Sequence, residues 1–108
     1  MIYELRIYRS MPGRFPALLS RFKNSTLRVW DKHGIRQAGF WTTLIGESHE
    51  HLTYMLAWSS LAERETRWGA FIADPEWRQI VAETEKDGPI VQNISSQLLA
   101  PTSFSSVT

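Results

Sequence analysis

Residues 2–9 (Ile2-Tyr3-Glu4-Leu5-Arg6-Ile7-Tyr8-Arg9) alternate in character, with Tyr3, Leu5 and Ile7 on one side and Glu4, Arg6 and Tyr8 on the other. A period of two predicts a strand with an apolar face. Met11-Pro12-Gly13 breaks it. From about residue 14 to 33 the apolar positions take helical spacing (Phe15, Leu18, Leu19, Phe22, Val29, Trp30), with Pro16 tolerated in the first turn. This stripe is weakest at Asn24-Ser25-Thr26. Lys32 and His33 suit the negative pole of the helix, Gly34 the left-handed C′ position, and Ile35 the apolar contact that follows it.

Gln37 to Gly46 predicts a second strand through Phe40, Trp41, Leu44 and Ile45. Residues 46–50 are a polar turn, and Leu52 to Ser59 a third strand with Leu52, Tyr54, Leu56 and Trp58 on one face. So short a turn implies an antiparallel hairpin. Ser60-Leu61-Ala62-Glu63 is a capping box that opens a second helix, carrying Leu61, Trp68, Phe71 and Ile72 on its buried stripe. Asp74-Pro75-Glu76 starts another helical stretch over 75–86, with Asp as N-cap and Pro at the first position. Asp87-Gly88-Pro89 ends it, and residues 90–100 predict a fourth strand.

The order βαββαβ predicts a ferredoxin-like α+β fold, an antiparallel four-stranded sheet with its helices on one face and the first and third strands central. Residues 1–101 form the expected domain, and the Ser/Thr-rich residues 102–108 a loose tail. Regular alternation sets Tyr3, Leu5, Ile7, Leu56, Trp58, Ile94 and Leu98 under the helices. The other face then carries Glu4, Arg6, Tyr8, Trp41, Thr43, His51, Thr53, Met55, Asn93, Ser95 and Gln97, unless a bulge inverts part of a strand. That mixture of rings, Met and polar groups suits a sheet paired with a twin sheet around a partly polar pocket.

Met1-Ile2-Tyr3-Glu4-Leu5-Arg6-Ile7-Tyr8 followed by Pro12-Gly13 resembles the opening of the NIPSNAP family. Gly39-Phe40-Trp41-Thr42-Thr43 with Ile45-Gly46, then Trp58-Ser59-Ser60-Leu61 with Arg64 and Arg67, and finally Asp74-Pro75-Glu76-Trp77 extend the resemblance over almost the whole chain except the tail. The segment before the second helix departs from the family pattern, with Ser60 where an aromatic is expected. The resemblance implies a ferredoxin-like subunit paired into a dimeric α+β barrel. It carries little chemistry, because bacterial members are mostly uncharacterised. Longer animal relatives are tied to mitochondria and vesicle traffic. Neighbouring dimeric-barrel families include cofactor-independent monooxygenases, isomerases, dehydratases and haem-handling enzymes, among which fold analogy does not choose.

At 108 residues the chain has room for one core. Five Trp, three Tyr and five Phe are a heavy aromatic load, which points to a second buried surface beyond that core. A net charge of +1 with both signs interspersed argues against a nucleic-acid stripe or a polybasic membrane patch. Arg outnumbers Lys, which suits carboxylate pairing and ring stacking. The absence of Cys excludes disulfides, thiolate metal sites and a Cys nucleophile. No signal-peptide pattern follows Met1 and no apolar run nears the ~18 residues of a membrane span, so the expected location is the cytoplasm.

Glu4 and Arg6, two apart on one strand face, are the first candidates for a ligand site, with Tyr8 as a proton donor. The pair is equally the kind that keeps a half-buried face hydrogen-bonded. Trp41, Thr43 and Met55 would supply the walls of the pocket. His33 is a candidate general base, although its helix-end position is accounted for by the dipole. His49-x-His51 with Glu47 or Glu50 has ligand spacing for a metal, but at a hairpin tip polar residues need no such cause, and no metal or cofactor is expected. Arg64 and Arg67 read as a charged helix face. Two functions remain open: a homodimeric pocket protein for a small organic molecule, as a cofactor-independent enzyme on an aromatic or enolisable substrate; or a non-catalytic interaction or ligand-carrying module in which the same residues stabilise the dimer.

Overall fold

The computed structural model describes all 108 residues. Its elements run β1 (Ile2–Ser10), α1 (Phe15–Arg21), a π-helical turn (Phe22–Thr26), α2 (Leu27–Lys32), β2 (Arg36–Thr42), β3 (His51–Trp58), α3 (Leu61–Ala73), α4 (Pro75–Thr84) and β4 (Val91–Leu99). The strands form one antiparallel sheet in the order β2-β3-β1-β4. The chain is therefore ferredoxin-like, with β1 and β3 central as expected. Leu18, Phe22, Val29, Trp30 and Phe71 from the helices close one core with Leu52, Tyr54, Leu56 and Trp58 from β3.

The local signals act where the sequence places them. The Ser60 Oγ accepts from the Glu63 N–H (3.0 Å) while the Glu63 carboxylate accepts from the Ser59 N–H (3.1 Å), which ties down the start of α3. Asp74 caps α4 through the Glu76 N–H (2.8 Å), with Pro75 at the first helical position. At the end of α2 the Ile35 N–H bonds the Trp30 carbonyl (2.9 Å) and the Gly34 N–H that of Asp31 (3.1 Å). Gly34, at φ +69°, makes this closure possible.

The expected helix over 14–33 is interrupted. Leu18, Phe22, Thr26 and Trp30 are all buried and lie four residues apart. In a regular α-helix such a series drifts by about 120° and leaves the core face. The π-helical turn takes up the drift: the Leu27 N–H reaches the Phe22 carbonyl, and the Thr26 Oγ donates to the Arg21 carbonyl (3.3 Å).

Two expectations about the sheet need correction. β2 ends at Thr42, short of Gly46. A register shift between Gln37 and Phe40, at Gly39 with φ +123°, uses up its pairing length, and Leu44 and Ile45 lie exposed in the following loop. Thr43 sits in that loop rather than on a sheet face.

The faces of β1 are also inverted. Glu4 lies opposite Leu56, Arg6 opposite Tyr54 and Tyr8 opposite Leu52, so Glu4, Arg6 and Tyr8 point toward the helices. Tyr3, Leu5 and Ile7 point to the open side with Trp41, Thr53, Met55 and Ala57. The assignments made for β3 and β4 stand, including Leu56, Trp58, Ile94 and Leu98 on the helix side. Apolar character misleads here because the open side of β1 is also apolar, while Glu4 is neutralised on the helix side.

The open face is only half covered. Leu5, Ile7, Met55 and Ala57 are half-buried and Trp41 is 51 % exposed. Residues 100–108 fold back over its edge, where Tyr3 Oη donates to the Thr108 carbonyl (3.0 Å) and Val107 and Pro101 border a groove with Met55 and Leu99. The accessible surface of 6686 Å² exceeds the roughly 6,170 Å² expected of an average folded chain of this mass. No helix is long and apolar enough to cross a membrane.

Candidate functional site

The inversion of β1 carries a carboxylate into the layer between sheet and helices. Glu4 is fully buried. Its Oε1 accepts from Arg64 Nε (2.8 Å) and Trp58 Nε1 (3.0 Å). Its Oε2 accepts from Ser96 Oγ (2.7 Å), Arg6 Nη1 (3.0 Å) and Arg64 Nη2 (3.1 Å). Burial alone would push the carboxyl up, but the hydrogen bonds from Arg64, Ser96, Arg6 and Trp58 outweigh it and hold the pKa at about 2, against an ordinary 4.5.

Arg6 is aligned from several sides. Its Nε donates to Tyr54 Oη (2.7 Å), its Nη2 to Tyr8 Oη (3.3 Å), and its guanidinium carbon lies 4.6 Å from the centre of the Trp68 ring. Burial pushes the Tyr54 hydroxyl well above its usual range, so it stays a neutral phenol. At neutral pH the group therefore holds the Glu4 anion, the Arg6 and Arg64 cations and a protonated Tyr54.

Arg6 and Tyr8 face a cavity of about 290 Å³ between the helices and the β1–β4 half of the sheet. Its walls are rings (Phe22, Trp30, Trp68, Phe71 and Trp77), with Thr26 and Arg21 from the π-helical turn and its edge. Arg21 is held by Glu85 (3.0 Å) and Thr84 Oγ1 (3.2 Å) and lies 5.7 Å from the Trp77 ring centre. Two lining residues carry an unpartnered donor: Trp30 Nε1 and Arg21 Nε are buried with no hydrogen-bond partner. Charge is also unbalanced, since Arg6, Arg21 and Arg64 (three cations) are matched by Glu4 and Glu85 (two anions), leaving one positive charge over. An aromatic cavity with spare donors and a spare cation suits an acidic, planar guest.

The sequence candidates divide accordingly. Glu4, Arg6 and Tyr8 come together, under the helices and away from the open face. Trp41 and Met55 lie on the opposite side of the sheet, and Thr43 folds over Gly46 in the β2–β3 loop. His33 lies outside the cavity lining, where its Nε2 is 2.7 Å from Asp74 Oδ2. Lys32 shares that carboxylate (2.8 Å), so the end of α2 is pinned to the α3–α4 junction. His49 and His51 join no group of three residues able to hold a metal ion.

Sequence reasoning missed Arg21, Trp68 and Trp77 as wall residues, Tyr54 as a partner of Arg6, and Arg64 as the partner of Glu4. The available signal was an Arg at position 21 inside an apolar stripe, next to Phe22.

The NIPSNAP family model matches residues 3–106. No curated protein matches the chain. Among solved structures, a NIPSNAP family protein of unknown function from Agrobacterium tumefaciens, Atu4242, is 26% identical, with a TM-score of 0.85 over 100% of this chain and 94% of that one. A second from the same organism, Atu5224, is 23% identical, with a TM-score of 0.86 over 99% and 98%. An antibiotic biosynthesis monooxygenase shares the fold at 10% identity, with a TM-score of 0.58 over 94% and 99%.

Proposed function

This chain belongs to the NIPSNAP family, and on that footing we propose that it binds a small acidic aromatic or enolisable molecule in the cavity between sheet and helices. The carrying observation is the surplus of donors and positive charge in a cavity walled by rings. An anionic oxygen of the guest, carboxylate or enolate, sits against Arg6 Nη2 and Tyr8 Oη, and its ring stacks among Trp30, Trp68 and Phe71. The volume is about twice the roughly 150 Å³ that suffices for benzene, which fits one substituted ring or two fused ones.

In a catalytic version, Arg6 stabilises the oxyanion of an enolate and Tyr8 delivers the proton, without a cofactor. The complete hydrogen bonding of Glu4 favours a second reading, in which the network is a strut and the guest is only carried. The open sheet face, apolar at Leu5, Ile7, Met55 and Trp41, pairs with a second copy to form the homodimer.

Three cavity tryptophans make binding readable by fluorescence. Titration of the wild type with benzoate is expected to quench it saturably, and Arg6→Met is expected to weaken binding at least about tenfold. Equal affinity in the two proteins, or no response to benzoate or larger aryl carboxylates, refutes the proposal. Turnover of an enolisable aryl ketone by the wild type separates enzyme from carrier.

A further inference from the structure

The polar groups of the cavity are not confined to one end. Arg21 is 6 % exposed and uses only Nη1, toward Thr84 and Glu85. Its Nε is buried with no partner, and Nη2 makes no hydrogen bond. Arg6 and Arg21 both line the cavity, share no hydrogen-bond partner and lie near different rings, Trp68 and Trp77. A buried guanidinium N–H without an acceptor is costly, and hydration of this kind of ring-lined space is poor compensation.

We propose that Arg21 is a second acceptor-binding subsite, so that the guest is a two-headed aromatic acid: a planar ring with one anionic oxygen group at Arg6 and another oxygen acceptor at Arg21. This rests on the cavity reading above and narrows it to a substrate class. Glu85 leaves Arg21 charged and oriented while taking up only one of its nitrogens, as a positioning group should. The π-helical turn contributes by shifting the chain after Arg21, which lets Phe22 and Thr26 remain on the cavity wall beside it.

Benzoate, with one head, and terephthalate, with two, are the probes. The wild type is expected to bind terephthalate about tenfold or more tightly than benzoate, the range for an added charge-assisted hydrogen bond. Arg21→Met keeps the apolar stem and is expected to bring that ratio close to one, weakening terephthalate more than benzoate. Arg21→Lys retains the pair with Glu85 but lacks the Nε–H and Nη2 donors, and it too is expected to lose the preference, which guards against a folding defect in the Met variant. A wild type with no preference for the two-headed acid, or an Arg21 variant that retains it, overturns the subsite and leaves the Arg6 site standing. Absence of binding by either probe to the wild type overturns both.

Discussion

Replacing Glu4 with Gln tests the charge network at its centre. The carboxylate is fully buried and anchors Arg6, Arg64, Trp58 and Ser96. Its depressed pKa is itself a stability term. The drop from 4.5 to about 2 corresponds to about 3 kcal/mol, at roughly 1.4 kcal/mol per factor of ten. Because the folded value is the lower one, this contribution is fully present above pH ~5 and disappears as pH falls through ~2. Glu4→Gln keeps the shape, loses the charge, and turns an amide NH₂ toward groups that are themselves donors. At pH 7 it is expected to cost about 3 kcal/mol, within the range for breaking a buried pair. Asp74, Glu63 and Glu76 are also held below their usual values by their cationic or backbone partners, but they are common to both proteins and cancel in the difference. Urea unfolding of wild type and variant, followed by circular dichroism at pH 7, 5, 4 and 3, therefore gives a gap that narrows toward acid by most of its neutral value. Parallel loss of stability in the two proteins refutes the idea that Glu4 is ionised and bonded as described.

In sedimentation velocity the wild type is expected to run as a dimer and Ile7→Glu, on the open face, as a folded monomer; a dimer unchanged by the substitution moves the interface elsewhere. Ser60→Ala removes the N-cap of α3 and is expected to cost about 1 kcal/mol, or roughly 4–8 °C in melting temperature for a domain of this size; an unchanged melt shows that the capping box adds nothing.

The elements and their order were legible because their signals are local. The Ser60–Glu63 box, the Asp74-Pro75 start and the Gly34 closure each involve residues within five positions of one another, and each forms as expected. That Glu4, Arg6 and Tyr8 come together was also legible, since alternation places the three on one face whichever way it points. Its location was not. A period of two separates the faces of a strand without saying which one meets a helix, and on β1 the more apolar side is the open one. His33, chosen for its chemistry, turned out to be held by Asp74, a contact that depends on the packing of α2 against the α3–α4 junction.

The sequence by itself determined a four-stranded α+β unit, because periodicity, caps and turn residues act over a few neighbouring positions. Only the tertiary structure decided that a buried carboxylate would sit under the helices. The groups that make Glu4 tolerable there stand 54, 60 and 92 residues along the chain, at Trp58, Arg64 and Ser96. Until folding brings them within hydrogen-bonding distance, an acidic residue in a strand reads as an outward-facing one, since burial without such partners costs several kcal/mol.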